Sequence, residues 1–263
     1  MVGSVSTPHV MNKKSIKAFA GKLIASAISR LARLITSRTL PGSVSEWRSV
    51  DYTFAQFAED ILVIRALESL GITEKAYYVD VGAYHPLMYS NTVRLHWQGW
   101  KGINIDAQAD HIANFNRERP YDINLQYAVT ERSGFADFFC YDSGTTGRVA
   151  DPDGGDSTSI LGEELRETIS VPTEPLATLL RRHAPHDQLF GFLSIDCEGS
   201  DLEVLRSNDW DQFTPWVIAI EDHTKEGNTE IDDFLKARGY HLWAMAHVTK
   251  IFVREIKGRN EEP

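Results

Sequence analysis

Apolar and polar positions change their period along this chain, and each change marks an element. From Ser15 the apolar residues Ile16, Phe19, Ala20, Leu23, Ile24, Ala27, Ile28, Leu31, Leu34 and Ile35 recur at steps of three and four, with Lys and Arg mostly between them. That spacing predicts an amphipathic basic helix. The stretch "LPGSVSEW", residues 40–47, mixes Pro, Gly and Ser and reads as a linker. Beyond it, short β-branched and aromatic runs alternate with helical periods. Strands are expected at 77–81, 102–106, 123–129, 190–196, 215–221, 240–245 and 249–254. Helices are expected near 54–69, 90–98, 108–116, 175–183, 200–208 and 229–238, with Ser200 and Glu203 forming a capping box on the fifth. Strand and helix in alternation argue for an α/β, doubly wound, mostly parallel sheet of seven strands. The last two strands are separated only by Ala246-His247-Val248, which makes them an antiparallel hairpin.

The chain of 263 residues therefore divides into a basic helical extension, 1–45, and one α/β domain, 46–263. Within the domain, the Gly- and Asp-rich residues 141–160 fit neither period, so an insertion near 141–170 is read as a lid on the substrate side. Cys140 and Cys197 fit no metal or disulfide spacing, which suits a reducing, cytoplasmic setting. No apolar run is long enough to span a bilayer.

Charge sharpens the division. Net charge is -10, yet residues 1–45 hold seven Lys and Arg and no Asp or Glu, about +7, leaving about -17 for the remainder. An acidic body speaks against a nucleic-acid substrate, whose phosphates need a basic groove. The basic stripe has three open readings: packing against its own domain or a second copy in a homo-oligomer, peripheral contact with a membrane surface through residues 13–38, or a cleaved transit peptide.

The candidate chemistry begins at "YYVDVGAYHP", residues 77–86, where a strand runs into a turn with one glycine. Dinucleotide sites use G-x-G-x-x-G so that backbone can approach a pyrophosphate, and here Tyr84 stands where the second glycine would be. Twenty-six positions after Asp80, Asp106 closes "GINIDA", where an acid can accept from a ribose diol or, more simply, cap the following helix. Adenosine without a pyrophosphate points to S-adenosylmethionine.

Seven strands ending in an antiparallel hairpin resemble the Rossmann-like class I methyltransferase fold. The ordered series "AQFAED", "VDVGAYHP", "SNTVRLHWQGWKGINIDA", "DINLQYAVT", "LSIDCEGSDLEVLRSNDW" and "WVIAIE" resembles the FkbM family of S-adenosylmethionine-dependent O-methyltransferases over about residues 52–254. The resemblance implies methylation of a hydroxyl group, with sugars and polyketide alcohols among the family's substrates, and the leading reading is a hydroxyl of a sugar, glycan or glycolipid precursor. It further implies Gln56 and Asp60 near the cofactor's methionine end, Asp80, Gly82 and Tyr84 at the first turn, Asp106 on the ribose, and Gln126 to Ala128 at the adenine edge. Cys197 stands where the family has Val and is read as a small buried apolar substitute.

Methyl transfer to an alcohol needs alignment and a route for the hydroxyl proton. Asp196 and Glu198 close one expected strand, and Glu221, Asp222 and His223 close another 25 positions after Asp196. Both strand ends would open on one crevice. Asp196, Glu221 and Asp222 would suit Mg²⁺, which prefers oxygen ligands. Alternatively, His223 or His85 would act as a general base without metal. Two other readings stay open, an NAD(P)-dependent oxidoreductase and a non-catalytic adenosine-binding or scaffolding domain.

Overall fold

The computed structural model describes residues 51–72, 76–141, 146–150, 159–160, 163–224 and 229–255. The expected basic helix and the 40–47 linker lie outside these residues. The chain divides into two units, 53–96 with 100–263, and 1–52 with 97–99, and every described strand belongs to the first.

The elements run α1 (Glu59–Ser69), β1 (Ala76–Val81), α2 (Val93–Trp97), β2 (Lys101–Asp106), α3 (Ala109–Glu118), β3 (Ile123–Gln126), β4 (Ala128–Val129), β5 (Gly134–Tyr141), β6 (Gly147–Val149), β7 (Ser159–Ile160), β8 (Glu163–Glu174), α4 (Leu176–His183), β9 (Leu189–Ile195), α5 (Asp201–Arg206), β10 (Val217–Glu221), α6 (Glu230–Lys236), β11 (Tyr240–Ala246) and β12 (Thr249–Arg254). Seven strands form the main sheet in the order β11-β12-β10-β9-β1-β2-β3. Neighbours from β10 to β3 are parallel, while β12 runs antiparallel to both β10 and β11.

The central strands are buried on both sides, as parallel strands covered by helices must be. Successive side chains of β1 enter opposite cores. Tyr77, Val79 and Val81 pack with Leu176, Leu179 and Leu180 of α4, Val204 and Leu205 of α5, and Leu235 of α6. Ala76 and Tyr78 pack with Val63, Ala66 and Leu67 of α1 and with Leu95 of α2. A strand period of two therefore supplies both layers from one segment.

Four differences from the sequence expectations carry physical information. The 123–129 run is not one strand. It breaks at Tyr127, whose amide donates to the Asp106 carbonyl at 3.1 Å, so that β3 stays in the main sheet and β4 joins a second one. That second sheet, β4-β8-β5-β6 with β7 beside β8, includes the eight-residue β5 and twelve-residue β8, which the reading of the sequence did not contain. Both strands are mostly solvated, and their one apolar patch is small: Phe138, Cys140 and Val171 with Ala107 and Ala128. Third, Ser200 makes no side-chain cap, and Glu203 instead accepts from the Glu131 amide at 3.1 Å. Finally, the capping box lies on α6, where Thr229 and Asp232 exchange bonds with each other's amides.

Candidate functional site

The site lies where β1, β2, β9 and β10 end, the position at which an open α/β sheet binds ligands. The strand ends are tied directly to one another. The amides of Gly82 and Ala83 both donate to the Ile105 carbonyl, at 3.0 and 3.1 Å, and the Asp196 amide donates to the Val81 carbonyl at 3.0 Å. Gly82 has φ +76°, and a Cβ there would lie 1.7 Å from the Asp196 carbonyl oxygen. The single glycine of "VDVGAYHP" is thus required because two turns meet at it, and no pyrophosphate need be invoked.

Beyond this junction opens a cavity of about 610 Å³. One side is built on Asp106. Its Oδ2 accepts from the Tyr84 amide at 2.9 Å, and its Oδ1 accepts from the Gln108 amide at 2.8 Å, with His111 Nδ1 3.0 Å away. Asp106 accordingly braces the turn that leads into α3, which has no side-chain cap, and faces the cavity as well, with Oδ2 keeping acceptor capacity for an incoming hydroxyl. Tyr84, at φ +48°, meets the His111 ring edge-on at 5.0 Å. Tyr127, Ala128 and Val129 form the adjoining wall.

The opposite side is acidic. Asp196, Glu198, Glu221 and His223 all line it, with Asp196 open to the cavity while surrounded by protein. Glu198 sits in left-handed backbone at φ +50°, followed by Gly199 at φ +99°. The Asp201 carboxylate holds this turn by accepting from the Cys197 and Gly199 amides, each at 3.0 Å. His223 Nε2 is 3.0 Å from Glu221 Oε2. Crowded acids in a partly desolvated site disfavour their own ionisation. Burial, and then the Glu221 charge, push Asp196 well above the carboxylate range and raise Glu198 to about 7. Burial, offset in part by the two amides, raises Asp201 to about 6.

The second sheet supplies a further wall through Phe138, the segment 146–149 and Glu163. Phe57 and His247, stacked with ring centroids 4.3 Å apart, stand at the side nearest the β11–β12 turn.

Several expected site residues are placed elsewhere. Asp80 is buried beneath the turn, its Oδ2 accepting from Thr92 Oγ1 at 2.7 Å, and it does not line the cavity. Asp60 is also buried and accepts from Thr53 Oγ1 at 2.6 Å and the Phe54 amide at 3.0 Å, so it anchors the chain segment that carries Gln56 into the cavity wall. Gln126 Nε2 donates to the Ala107 carbonyl at 3.2 Å. His85 Nδ1 accepts from the Leu87 and Met88 amides at 3.1 and 3.0 Å, which puts the ring proton on Nε2 and removes the lone pair a general base needs. The expected trio Asp196, Glu221 and Asp222 is not assembled, because Asp222 turns to Lys250 Nζ at 2.9 Å. Among the described residues, a different group, Glu198, Glu221 and His223, has ligand atoms all within 4.8 Å of one another. Its nitrogen and oxygen donors are unlike the all-oxygen shell that suits Mg²⁺. Cys197 is half-buried, packed against the main core on one side and lining the cavity on the other, with burial raising its thiol well above the usual range.

The reading of the sequence lacked His247, Phe57 and Tyr89 of the cavity wall, and gave Glu198 no role of its own. Only Glu198 had a signal, since it lies two residues beyond Asp196 in a strand-end motif.

A seven-stranded mixed sheet with its cavity over these strand ends is consistent with a methyltransferase-like fold. Residues 80–242 match the family described as the methyltransferase FkbM domain, and the chain belongs to that family. No curated protein matches the chain. Membership supports methyltransferase activity, for which S-adenosylmethionine is the common methyl donor. Among the described residues no helix is long and apolar enough to cross a membrane.

Proposed function

We propose that the protein is an S-adenosylmethionine-dependent O-methyltransferase acting on a hydroxyl of a sugar, glycan or glycolipid precursor. One observation carries the reading: a single cavity joins the acceptor face of Asp106 to the acidic wall of Asp196, Glu198 and Glu221. Asp106 would accept from a ribose hydroxyl, and the wall of Tyr127, Ala128 and Val129 would adjoin the adenine. The acidic side suits the positive charge of a sulfonium donor. When bound, S-adenosylmethionine supplies an electrophilic methyl group.

The remaining work belongs to the chain's own residues. Glu198, whose carboxyl is raised to about 7, takes the acceptor's proton, a value suited to a general base at neutral pH. Glu221 and His223 stand beside it, and Asp201 fixes its turn. The second sheet covers the acceptor side, and so selects the acceptor.

Isothermal titration calorimetry with S-adenosylhomocysteine, with and without Mg²⁺ and with NAD⁺ as control, tests the reading. Micromolar binding of the homocysteine product alone is the expected result. Binding of NAD⁺ in its place would move the protein to the oxidoreductases, and no binding of either would leave a scaffolding role.

The basic stripe of residues 13–38 is proposed to rest on an anionic membrane surface. Liposome co-sedimentation of the full chain against one lacking residues 1–45 decides this, and equal binding would sink it.

A further inference from the structure

At the rim of the cavity, Leu87, Met88 and Tyr89 form three successive large apolar residues that are 44%, 51% and 57% exposed. Single exposed apolar residues are ordinary, but a run of them is a defect in a fold unless something uses it. This run is also held by unusual means. Directly before it, His85 Nδ1 accepts from the Leu87 and Met88 amides. Beneath it lies Arg119, among the largest fully buried side chains of the molecule. Its guanidinium donates to the Pro86 carbonyl, and to Ser90 Oγ and Thr92 Oγ1, both at 3.0 Å. The Ser90 amide donates to the Phe54 carbonyl at 3.1 Å. Tyr89 itself occupies left-handed backbone at φ +53°, a conformation that persists only where surroundings enforce it.

Burying a guanidinium is costly unless its donors are satisfied. Here the donors reach both the core, through the Tyr78 hydroxyl at 3.1 Å, and the base of an apolar tip that stands in water, against the direction in which the hydrophobic effect would drive it. The tip is also continuous with the site. Tyr89 lines the cavity while being largely exposed, its ring stacks 6.3 Å from that of Tyr84, and Phe57, 41% exposed, lines the same cavity. Apolar surface thus runs from the cavity wall out onto the tip.

We propose that the acceptor carries an apolar chain, and that Leu87 and Met88, outside the cavity, dock this chain together with Tyr89 at its rim while the hydroxyl enters the cavity. The proposal rests on the methyltransferase reading and narrows its acceptors to amphiphiles.

The test is calorimetric binding of methyl, butyl and octyl β-glucosides, kept below their micelle concentrations, with and without S-adenosylhomocysteine. The proteins compared are the wild type and a Leu87→Ser/Met88→Ser variant, whose changed residues lie outside the cavity lining. In the wild type, affinity is expected to rise about tenfold or more from methyl to octyl, since each buried methylene adds to binding. The double variant should lose that rise and keep its affinity for S-adenosylhomocysteine. Equal affinities across the series, no glucoside binding at all, or an undiminished rise in the variant would each overturn the proposal. Failure of S-adenosylhomocysteine to bind while the rise persists would remove the methyltransferase reading and leave the apolar docking surface standing.

Discussion

Glu221 and Asp222 are neighbours in sequence, yet they belong to opposite electrostatic worlds. Asp222 is held by Lys250 Nζ at 2.9 Å, Thr229 Oγ1 at 2.7 Å and the Thr224 amide at 3.0 Å, and Asp232 shares the same ammonium at 2.5 Å. Burial raises the Asp222 pKa, but the bonds from Lys250 and Thr229 outweigh it and bring the group down to about 2. Glu221, one residue earlier, stands beside Glu198 and Asp196 on the same cavity wall with His223 as its basic companion. Two adjacent residues of an extended segment point to opposite sides, so one carboxylate is neutralised for stability and the other is left to raise its neighbours' pKa values. Perturbed acids without a fixed cation are characteristic of sites that move protons, whereas a fully paired acid is structural.

Turnover separates the two regions most strongly. Glu198→Gln is expected to lower kcat about a thousandfold, the range for loss of a general base, with affinity for S-adenosylhomocysteine retained. Single-turnover methyl transfer to a glycoside measures it, and a variant as active as the wild type would remove Glu198 from the chemistry.

On the structural side, Lys250→Met leaves Asp222 and Asp232 buried without their cation. A loss of about 3 kcal/mol in urea unfolding is expected, because breaking a buried pair strands its partner charge. If stability is unchanged, the network around Lys250 is not what holds this corner.

The smallest effect distinguishes the two regions by pH. The Glu198 carboxyl keeps its proton in the folded chain up to about pH 7, while an ordinary glutamate releases it near 4.5. Between those values the folded state binds more protons, so this group makes stability fall as pH rises; the gap corresponds to about 3 kcal/mol, which solvent screening of the half-buried carboxyl reduces to about 1–2 kcal/mol. Asp222 has the opposite sign: its contribution is present above about pH 4 and lost as pH falls toward 2. Urea midpoints of wild type and Glu198→Gln between pH 4.5 and 8 should converge at the acid end and part at the alkaline end.

Much of the main sheet was legible because its strands are short, apolar and bounded by turn residues. The expected 249–254 strand coincides with β12, and the helices differ chiefly at their ends. The second sheet was not legible, since β8, "EELRETISVPTE", buries only two residues outright and so shows almost no apolar period. Asp80 and Asp106 illustrate the limit for the site. Both are strand-end acids in the right motifs, and the chain gives no sign that Thr92 and the Arg119 cluster claim the first while the second faces the cavity. His85 is similar: whether its nitrogen is free depends on two amides of the following turn.

The alternation of strand and helix, the acids at the strand ends and the family were thus settled by the amino-acid order, because periodicity and motif succession are local properties of the chain. Folding settled which acids meet a cation, why Gly82 must lack a side chain and where an apolar tip stands in water, because each depends on a backbone or charge brought near from a distant part of the chain.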